Sequence, residues 1–482
     1  MKRLKSILIV ALALVMVTGC DRPTCDKTSF AYHLDWNNSG INVELVYTHP
    51  DADTVTFFYS DPWAGGQTDI FTCVKNLRAD GAALLTDSVN SKIQLFDFQK
   101  NPIILNYRIE QSLPDTDLDC PREVFRPNLN PDMLYALGDH IFLTPDDESL
   151  NTDSIPVQVE WGRVPDFPVF CLYNPGKGTE PYSGTLDECA GSVIVGDRLL
   201  RVDTVTIGGV INYMVTAPRQ LADYNNAQLK QFYKTFYAAA VKFWEEKPDS
   251  PYTLMVYPFQ KIPFEVTGLG LKGGFFARYS AVADTILNHE REQTFAHEIG
   301  HNWIGLGDDR QWFGEGFNDF QAIYLITAAR MEHPQNFIDF FNAYLDELYH
   351  FEIRNMPNDE IRDHFWEKDY WKLPYMRGSI YALRLMGMIE QQTCTEHAFK
   401  DLMMALKPYK DDLTSEQFID VTSRFVDRQW LEEDFDRYII KGETMTLDGD
   451  PMPTGCEICH KKDGTPYLVL TDEETFMRHF ID

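Results

Sequence analysis

The spacing of apolar residues changes near residue 225 of this chain. Before that point apolar and polar residues alternate, which is typical of half-buried β-strands. The alternating stretches are 41–47, 55–59, 103–109 and 157–161. After that point apolar residues recur at steps of three and four, as in 229–244, which is typical of one face of a helix. The sequence therefore predicts a multi-domain α+β protein with an N-terminal β domain and a largely helical remainder.

The boundaries of the predicted domains follow from these patterns. Clusters of Asp, Asn, Gly and Pro separate the alternating stretches, which predicts an N-terminal antiparallel β-sandwich domain at 28–215. A mixed domain follows at 216–330, then a C-terminal helical region at 331–445 and a short irregular tail at 446–482. After residue 250 the predicted strands are 252–258 and 273–283, and the predicted helices are 311–330, 335–349, 375–391, 396–406 and 415–427.

The beginning of the chain has the features of an export signal. A basic start precedes an apolar run at 7–17, which is too short to span a bilayer. The run ends in Val-Thr-Gly-Cys20, which resembles the lipobox of bacterial lipoproteins. The resemblance implies that 1–19 is a lipoprotein signal peptide and that Cys20 carries a lipid. Residues 20–27 would then tether the protein to a membrane of the bacterial cell envelope, facing the periplasm or the outside. The alternative is an ordinary signal peptide.

The charge of the chain limits its partners. The formal net charge is −30 at pH 7, whereas nucleic acid is bound through Lys and Arg, so we expect no nucleic-acid partner. The same charge would repel anionic lipid, so the expected membrane contact is the lipid anchor at Cys20. Hydrophobic residues make up 44% and charged residues 24% of the chain, which is typical of a globular protein. The oligomeric state is left open.

Export permits disulfide bonds among the cysteines that follow the lipobox. Cys171 and Cys189 flank a loop rich in Gly and Pro, and we expect them to pair. Cys456, Cys459 and His460 match the C-x-x-C-H pattern of covalent haem attachment. A single copy in a segment expected to be irregular also fits a local disulfide or two free thiols, so these alternatives stay open.

The segment 294–306, TFAHEIGHNWIGL, contains two histidines four residues apart. On a helix such residues lie on one face, so His297 and His301 would be able to bind one Zn²⁺. Glu298 lies beside the first ligand, where it would be able to hold a water molecule. Apolar neighbours indicate that the helix is buried on one side, and a buried histidine pair needs partners. The alternative is a helix with two histidines facing solvent.

The segment 311–324, QWFGEGFNDFQAIY, supplies a candidate third ligand. A catalytic zinc needs three protein ligands and an open position. Glu315 lies among apolar and aromatic residues, where an unpaired carboxylate would be costly. Asp319 follows four residues later on the same helix face, and it is a candidate acceptor for the outer N–H of His297. A solvated position for Asp319 is the alternative.

These motifs together resemble the gluzincin metallopeptidases, which include thermolysin and the aminopeptidase N family. Trp303 after the second histidine and the E-G-F of 315–317 resemble especially the glycyl-aminopeptidase branch, which has an N-terminal β domain. Residues 200–209, LRVDTVTIGG, are similar to the stretch before that branch's catalytic domain. Residues 374–385, PYMRGSIYALRL, resemble the P-Y-E-K-G segment of aminopeptidases, whose tyrosine helps to stabilise the tetrahedral intermediate. The corresponding residue here is Tyr375.

The resemblance implies a thermolysin-like zinc catalytic domain at 216–330, with 331–445 as the helical part of the same region. It also implies hydrolysis of peptide or protein substrates, with Zn²⁺ held by His297, His301 and Glu315. Glu298 would then be the general base, and Tyr375 would stabilise the oxyanion. A rival hypothesis is a surface lipoprotein that uses this fold to bind protein or glycan without hydrolysis. The intact Glu298 argues against it, because a structural zinc site needs no base.

The sequence departs from the family pattern in three respects. Fewer residues separate His301 from Glu315, which implies a shortened loop, and the branch's PDZ domain is not visible after 445. The family's G-G/A-x-E segment, whose Glu binds the substrate amine, is matched to Gly273, Gly274, Phe275 and Phe276, without the acid. We expect these four residues to form the edge strand that binds the substrate backbone. The missing acid predicts endopeptidase or relaxed exopeptidase cleavage.

Overall fold

The fold is described from a computed structural model. It describes residues 27–49, 52–61, 69–112, 125–146, 152–217, 226–246, 250–259, 266–280, 288–305, 311–365, 367, 369–410 and 413–480. The proposed signal peptide and Cys20 lie outside the described residues. Within the described parts of the chain, no helix combines the length and the apolar character needed to cross a membrane.

The N-terminal domain consists of three β-sheets. Its strands are β1 Ser29–Trp36, β2 Gly40–Thr48, β3 Thr54–Phe58, β4 Val74–Asp80, β5 Ala83–Asp87, β6 Lys92–Phe96, β7 Ile103–Glu110, β8 Asn128–Asn130, β9 Met133–Leu137, β10 Thr144–Pro145, β11 Pro156–Arg163, β12 Val169–Cys171, β13 Tyr182–Thr185 and β14 Val193–Asp197, with one short helix, α1 Leu186–Ala190. The strand orders are β13-β11-β1-β2-β7-β4, β10-β3-β6-β5 and β12-β14-β9-β8.

The three sheets pack around one apolar core. Strand β7 shows why: its residues alternate strictly between buried and part-exposed positions, as the spacing of 103–109 predicts. One feature of the prediction is wrong, because the largest sheet is not wholly antiparallel. Strands β1 and β11 run parallel, with Phe30 opposite Val157. Alternation reports which face of a strand is buried, and it carries no signal for the direction of a partner that is distant in sequence.

A five-stranded sheet forms the base of the next domain. Its strands are β15 Arg201–Ile207, β16 Val210–Thr216, β17 Thr253–Phe259, β18 Val266–Leu271 and β19 Gly274–Ser280, in the order β15-β16-β17-β19-β18. Strands β15 and β16 form a hairpin that pairs with β17, so the structure moves the domain boundary from 215 to near residue 200. Apolar and polar residues continue to alternate through this hairpin. The alternation therefore does not indicate that the hairpin belongs to a different sheet from the strands before it.

The edge of this sheet is β18 rather than the expected segment Gly273–Phe276. Strand β19, which begins at Gly274, lies between β17 and β18. Phe275 and Phe276 are fully buried, and Phe276 stacks on Tyr135 of the N-terminal domain at 4.8 Å between ring centroids. The expectation that these residues form the edge strand that binds the substrate backbone is therefore wrong. An apolar run reports burial, and the order of strands in a sheet depends on contacts that are distant in sequence.

The remainder of the chain is helical, as predicted. The helices are α2 Asn226–Phe243, α3 Asn288–Gly300, α4 Asn318–Ala328, α5 Pro334–His350, α6 Asn358–His364, α7 Lys372–Thr393, α8 Ala398–Leu406, α9 Ser415–Thr422 and α10 Arg428–Phe435. A π-helical turn, Trp312–Phe317, leads into α4. The T-x-x-Q pattern before α9 forms a capping box, in which the Gln417 N–H donates to Thr414 Oγ1 at 3.1 Å. Aromatic and aliphatic side chains join all the long helices in one core.

The C-terminal tail is more regular than expected. It forms a hairpin of β20 Cys456–His460 and β21 Pro466–Leu470, followed by the short helix α11 Glu473–Phe476. Phe476 and Phe480 are buried against Phe337 of α5. These tertiary contacts stabilise the tail. Its apolar stretches are too short for the sequence to predict the hairpin and the helix.

The described cysteines form no disulfide bond. Cys456 and Cys459 lie three apart on β20, so their side chains point to opposite faces of the hairpin, and Cys456 is buried. Cys171 and Cys189 are both free thiols within the N-terminal core, so the expected pair is not formed. Burial raises the pKa of Cys171 to about 12, which keeps the thiol protonated.

Candidate metal centre

Two histidines meet at the C-terminal end of helix α3: His297 lies in its last turn and His301 directly follows its last residue. Nε2 of His297 lies 3.1 Å from Nε2 of His301, because residues four apart lie on one helix face. The opposite side of the helix is apolar, and Phe295 and Ile299 are buried in the helical core. This packing fixes the orientation of the helix and directs both histidines toward β18 and α4.

Glu315 reaches the histidines from the π-helical turn. Its Oε2 lies 3.1 Å from Nε2 of His297 and 3.7 Å from Nε2 of His301. These three donor atoms form a group within 4.8 Å of one another. The turn packs tightly against α7: a Cβ at Gly316 would lie 2.6 Å from the carbonyl oxygen of Pro374. A glycine after Glu315 therefore permits the close approach that brings α7 to the site.

The outer nitrogens of both rings are held by acceptors. Nδ1 of His297 lies 2.7 Å from Oδ1 of Asp319, and Nδ1 of His301 lies 3.1 Å from the carbonyl oxygen of Ile304. The hydroxyl of Tyr344, from α5, donates to the other carboxylate oxygen of Asp319. The structure thus places Asp319 against His297, at the position that the sequence suggested. No pattern in the sequence indicates that Tyr344 contacts Asp319, because Tyr344 lies on a separate helix.

These contacts test whether a metal ion fits. Asp319 and the Ile304 carbonyl accept hydrogen bonds from the outer nitrogens, so the Nε2 atoms of both rings are the ones that are able to bind a cation. These two Nε2 atoms and a carboxylate oxygen converge, which is an arrangement that needs a cation, either a proton on His297 or a metal ion. Two imidazoles and one carboxylate match the ligand set of catalytic zinc sites.

The pKa values of the two histidines also indicate that this site favours a positive charge. Burial works against a charged His297, but Asp319 and Glu315 outweigh it and raise its pKa well above the usual range. Burial, together with the charge on His297, lowers the pKa of His301 to about 4. One positive charge is therefore shared between two carboxylates at this point. A divalent cation would supply this compensation in place of the proton.

Glu298 lies on the other side of the pair, against the edge strand β18. A Cβ at Gly268 would lie 2.5 Å from Cγ of Glu298 and closer still to its carboxylate. The backbone of Gly270 forms a hydrogen bond with the same carboxylate. Burial raises the pKa of Glu298 to about 7. A carboxylate of this basicity suits proton transfer near neutral pH.

Tyr375, on α7, covers the metal cluster, which is the group of candidate metal ligands His297, His301 and Glu315. Its ring stacks on His297 with 5.4 Å between centroids and 23° between planes, and its hydroxyl forms a hydrogen bond with Glu315. Burial and the charge of Glu315 raise the pKa of Tyr375, so the phenol keeps its proton. A protonated hydroxyl beside the cluster is able to donate a hydrogen bond to a substrate oxygen.

The structure therefore brings together His297, Glu298, His301, Glu315, Asp319 and Tyr375. It does not bring Gly273, Gly274, Phe275 or Phe276 to the site. The residues of the edge strand that do approach are Gly268 and Gly270, which sequence reasoning missed. Two glycines at alternate positions of an apolar run were the available signal, because such glycines mark close approach to a strand backbone.

Comparisons with known proteins identify the fold. No protein-family model and no curated protein matches the sequence. An aminopeptidase N family protein from Idiomarina loihiensis is similar in structure, with a TM-score of 0.70 and 16% identity over 90% of this chain and 79% of that one. An M1 zinc metallopeptidase from Deinococcus radiodurans, in a variant bound to a Tyr-Ser-Ala substrate, has a TM-score of 0.55 at 14% identity and covers 87% of this chain and 95% of its own. Yeast LTA4 hydrolase has a TM-score of 0.52 at 15% identity, over 86% of this chain and 68% of that one.

The chain has the fold of the M1 metallopeptidases. This fold includes the N-terminal β-sheet domain and the C-terminal helical region, so the mixed architecture predicted from the sequence is confirmed.

Proposed function

We propose that this protein is a zinc-dependent peptidase that uses a thermolysin-like catalytic domain to hydrolyse peptide bonds. The observation that carries the proposal is the convergence of two imidazole Nε2 atoms and a carboxylate beside Glu298, which contacts none of the outer nitrogens and remains available as a base. The structural neighbours support it, because they include zinc metallopeptidases and one of them is bound to a peptide substrate.

His297, His301 and Glu315 would hold the zinc ion, and Asp319 and Tyr344 fix the ring of the first ligand. When bound, zinc polarises the substrate carbonyl and makes a water molecule acidic enough to lose a proton near neutral pH. Glu298 accepts that proton and afterwards donates it to the leaving amine. The hydroxyl of Tyr375 donates a hydrogen bond to the carbonyl oxygen as negative charge develops there.

The backbone of β18 is the surface that we assign to the substrate. As the edge strand of the five-stranded sheet, it has backbone groups that are not paired within that sheet, and an extended peptide is able to bind to such groups by strand addition. Gly270 contacts Glu298, so the strand runs beside the catalytic carboxylate. A peptide on this edge would present its backbone to the metal cluster.

Metal content and peptide hydrolysis test the proposal together. We expect one zinc ion per chain in protein purified without chelator, and we expect the zinc-loaded protein to cleave members of a peptide library. Zinc binding without hydrolysis of any peptide would favour the rival function, a binding protein for protein or glycan. Wild-type protein free of metal, and unable to take up zinc, would reject both.

We also propose that the enzyme does not require a free N-terminus in its substrate. Strand β18, VTGLGL, contains no acidic residue. The charges of two carboxylates, Glu315 and Asp319, act on Glu298, and both already contact His297. These two carboxylates are therefore not free to bind an α-ammonium group.

Matched peptides with free and acetylated N-termini test this point. A charge-assisted hydrogen bond to the amine contributes about 1.5–3 kcal/mol, which is roughly one to two powers of ten in selectivity. Without it, we expect the two peptides to differ in kcat/KM by less than about tenfold. A larger preference for the free amine would mean that another acid binds the terminus.

We also propose that this activity is located at the bacterial cell envelope, because the segment that resembles a lipobox ends in Cys20. The mass of the N-terminal fragment of the protein from whole cells tests this location. We expect a lipid-modified Cys20 at the N-terminus, and a fragment that still begins at Met1 would contradict export and the anchor.

A further inference from the structure

An aromatic side chain is exposed beside the metal cluster. Trp371 has 40% of its surface exposed. The other large apolar side chains that are exposed in the described part of the chain are all aliphatic, namely Leu85, Val89, Val164, Leu199, Val202, Ile211 and Ile440. Single exposed apolar side chains are ordinary on protein surfaces, so it is the location of Trp371 next to the metal-binding residues that distinguishes it.

Trp371 immediately precedes α7 and contacts the proposed oxyanion-stabilising residue. Its ring meets that of Tyr375 edge-on, at 5.8 Å between centroids and 90° between planes. Tyr375 in turn stacks on His297, and it is only partly covered. The three rings therefore form a continuous row from the metal cluster to the surface, with the indole at the open end.

A positive charge lies next to the indole. Nζ of Lys372 is 5.9 Å from the centre of the Trp371 ring, and a contact of 2.9 Å with Glu347 holds the ammonium group there. Asp369 lies 3.7 Å from the same ammonium group, so two carboxylates offset its charge. Lys372 already occupies the cation-binding position over the ring, and the rest of the indole offers apolar surface that suits an uncharged side chain.

We propose that Trp371 is a specificity-determining residue that binds a large apolar side chain of the substrate, next to the bond that is cleaved. This inference rests on the proposed peptidase function, and it names peptides with Phe or Leu near the cleaved bond as the preferred class. Contact with the indole removes apolar surface of both groups from water, and an aromatic pair gains further stabilisation from edge-to-face contact.

Peptide binding tests the inference without depending on hydrolysis. Zinc-loaded protein with Glu298→Gln is titrated in a calorimeter with acetylated pentapeptides of alanine in which one position is Phe, Leu, Lys or Ala. We expect the best Phe peptide to bind about tenfold more tightly than the all-Ala peptide. Adding Trp371→Ala should bring that ratio close to one, whereas Trp371→Phe should retain most of it.

The matched control is Leu85→Ala, which removes an exposed apolar side chain from the N-terminal domain and should leave the ratio unchanged. Trp371→Gln serves as a second variant if Trp371→Ala lowers the melting temperature. A Phe-to-Ala ratio that Trp371→Ala and Trp371→Gln leave unchanged, a Lys peptide that binds as tightly as the Phe peptide, or no peptide binding at all would overturn the inference. Hydrolysis by zinc-loaded wild type is measured separately, so a failure of the proposed function remains distinguishable from a failure of the role of Trp371.

Discussion

Replacing Glu298 by Gln should abolish most hydrolysis and leave the bound metal in place. Glu298 does not contribute a donor atom to the group formed by His297, His301 and Glu315, so its replacement removes the base without removing a ligand. General acid–base catalysis typically contributes about 10²–10⁴-fold, and we expect kcat to fall by that factor. Zinc content and kcat on the best peptide of the library are the two measurements.

The matched variant is His301→Ala, which should lose both zinc and activity. It keeps Glu298 but removes one of the three donor atoms. If Glu298→Gln lost zinc to the same extent as His301→Ala, Glu298 would be a ligand or a structural residue. If Glu298→Gln kept full activity, another group would be the base, and the mechanism proposed above would be wrong.

Replacing Gly268 by Ala should have a comparably large effect on activity with little effect on folding. A Cβ at this position would overlap the side chain of Glu298, with 2.5 Å to its Cγ. The side chain of Glu298 is able to rotate away, so the fold survives, but the carboxylate leaves its place beside the cluster. Misplacement of a catalytic group by about 1 Å is able to cost about 10²-fold in rate, and we expect a loss in kcat of at least this size.

Gly270→Ala is the matched control in the same strand. A Cβ at Gly270 would make its nearest contact at 3.5 Å, with Cβ of His301, and would lie 3.8 Å from the carboxylate of Glu298. These are ordinary van der Waals distances, so Glu298 keeps its position and the loss in kcat should be much smaller. Melting temperatures and zinc content of both variants should match those of wild type. Equal kcat losses in the two variants would show that crowding of Glu298 is not the cause.

The metal cluster was accessible to sequence reasoning because most of it is local. The histidine pair depends only on the periodicity of one helix, and Glu315 and Asp319 lie in the segment directly after it. Tyr375 lies farther along the chain, and only its resemblance to a family segment suggested its role. The structure adds the position of Tyr375: its ring stacks on His297, and its hydroxyl forms a hydrogen bond with Glu315.

The edge strand was predicted incorrectly, because its identity depends on the order of strands in the sheet. The expected edge segment Gly273–Phe276 is apolar throughout, and such a run is compatible with any position in a sheet that is covered on both faces. Pairing of β19 with both β17 and β18 places Phe275 and Phe276 in the interior. The glycine pair of β18 then becomes the part of the sheet that approaches Glu298.

The sequence by itself determined the change from strands to helices near residue 225 and the face of α3 that carries His297 and His301, because periodicity is a property of the local backbone. Tertiary structure alone decided that β15 and β16 join the five-stranded sheet, that Gly268 approaches Glu298, and that Tyr344 and the start of α7 with Trp371 and Tyr375 lie near the metal cluster. Each of these contacts joins segments that are far apart in sequence or on separate elements. Such contacts form only when the apolar faces of those elements pack together, and no spacing along the chain records them.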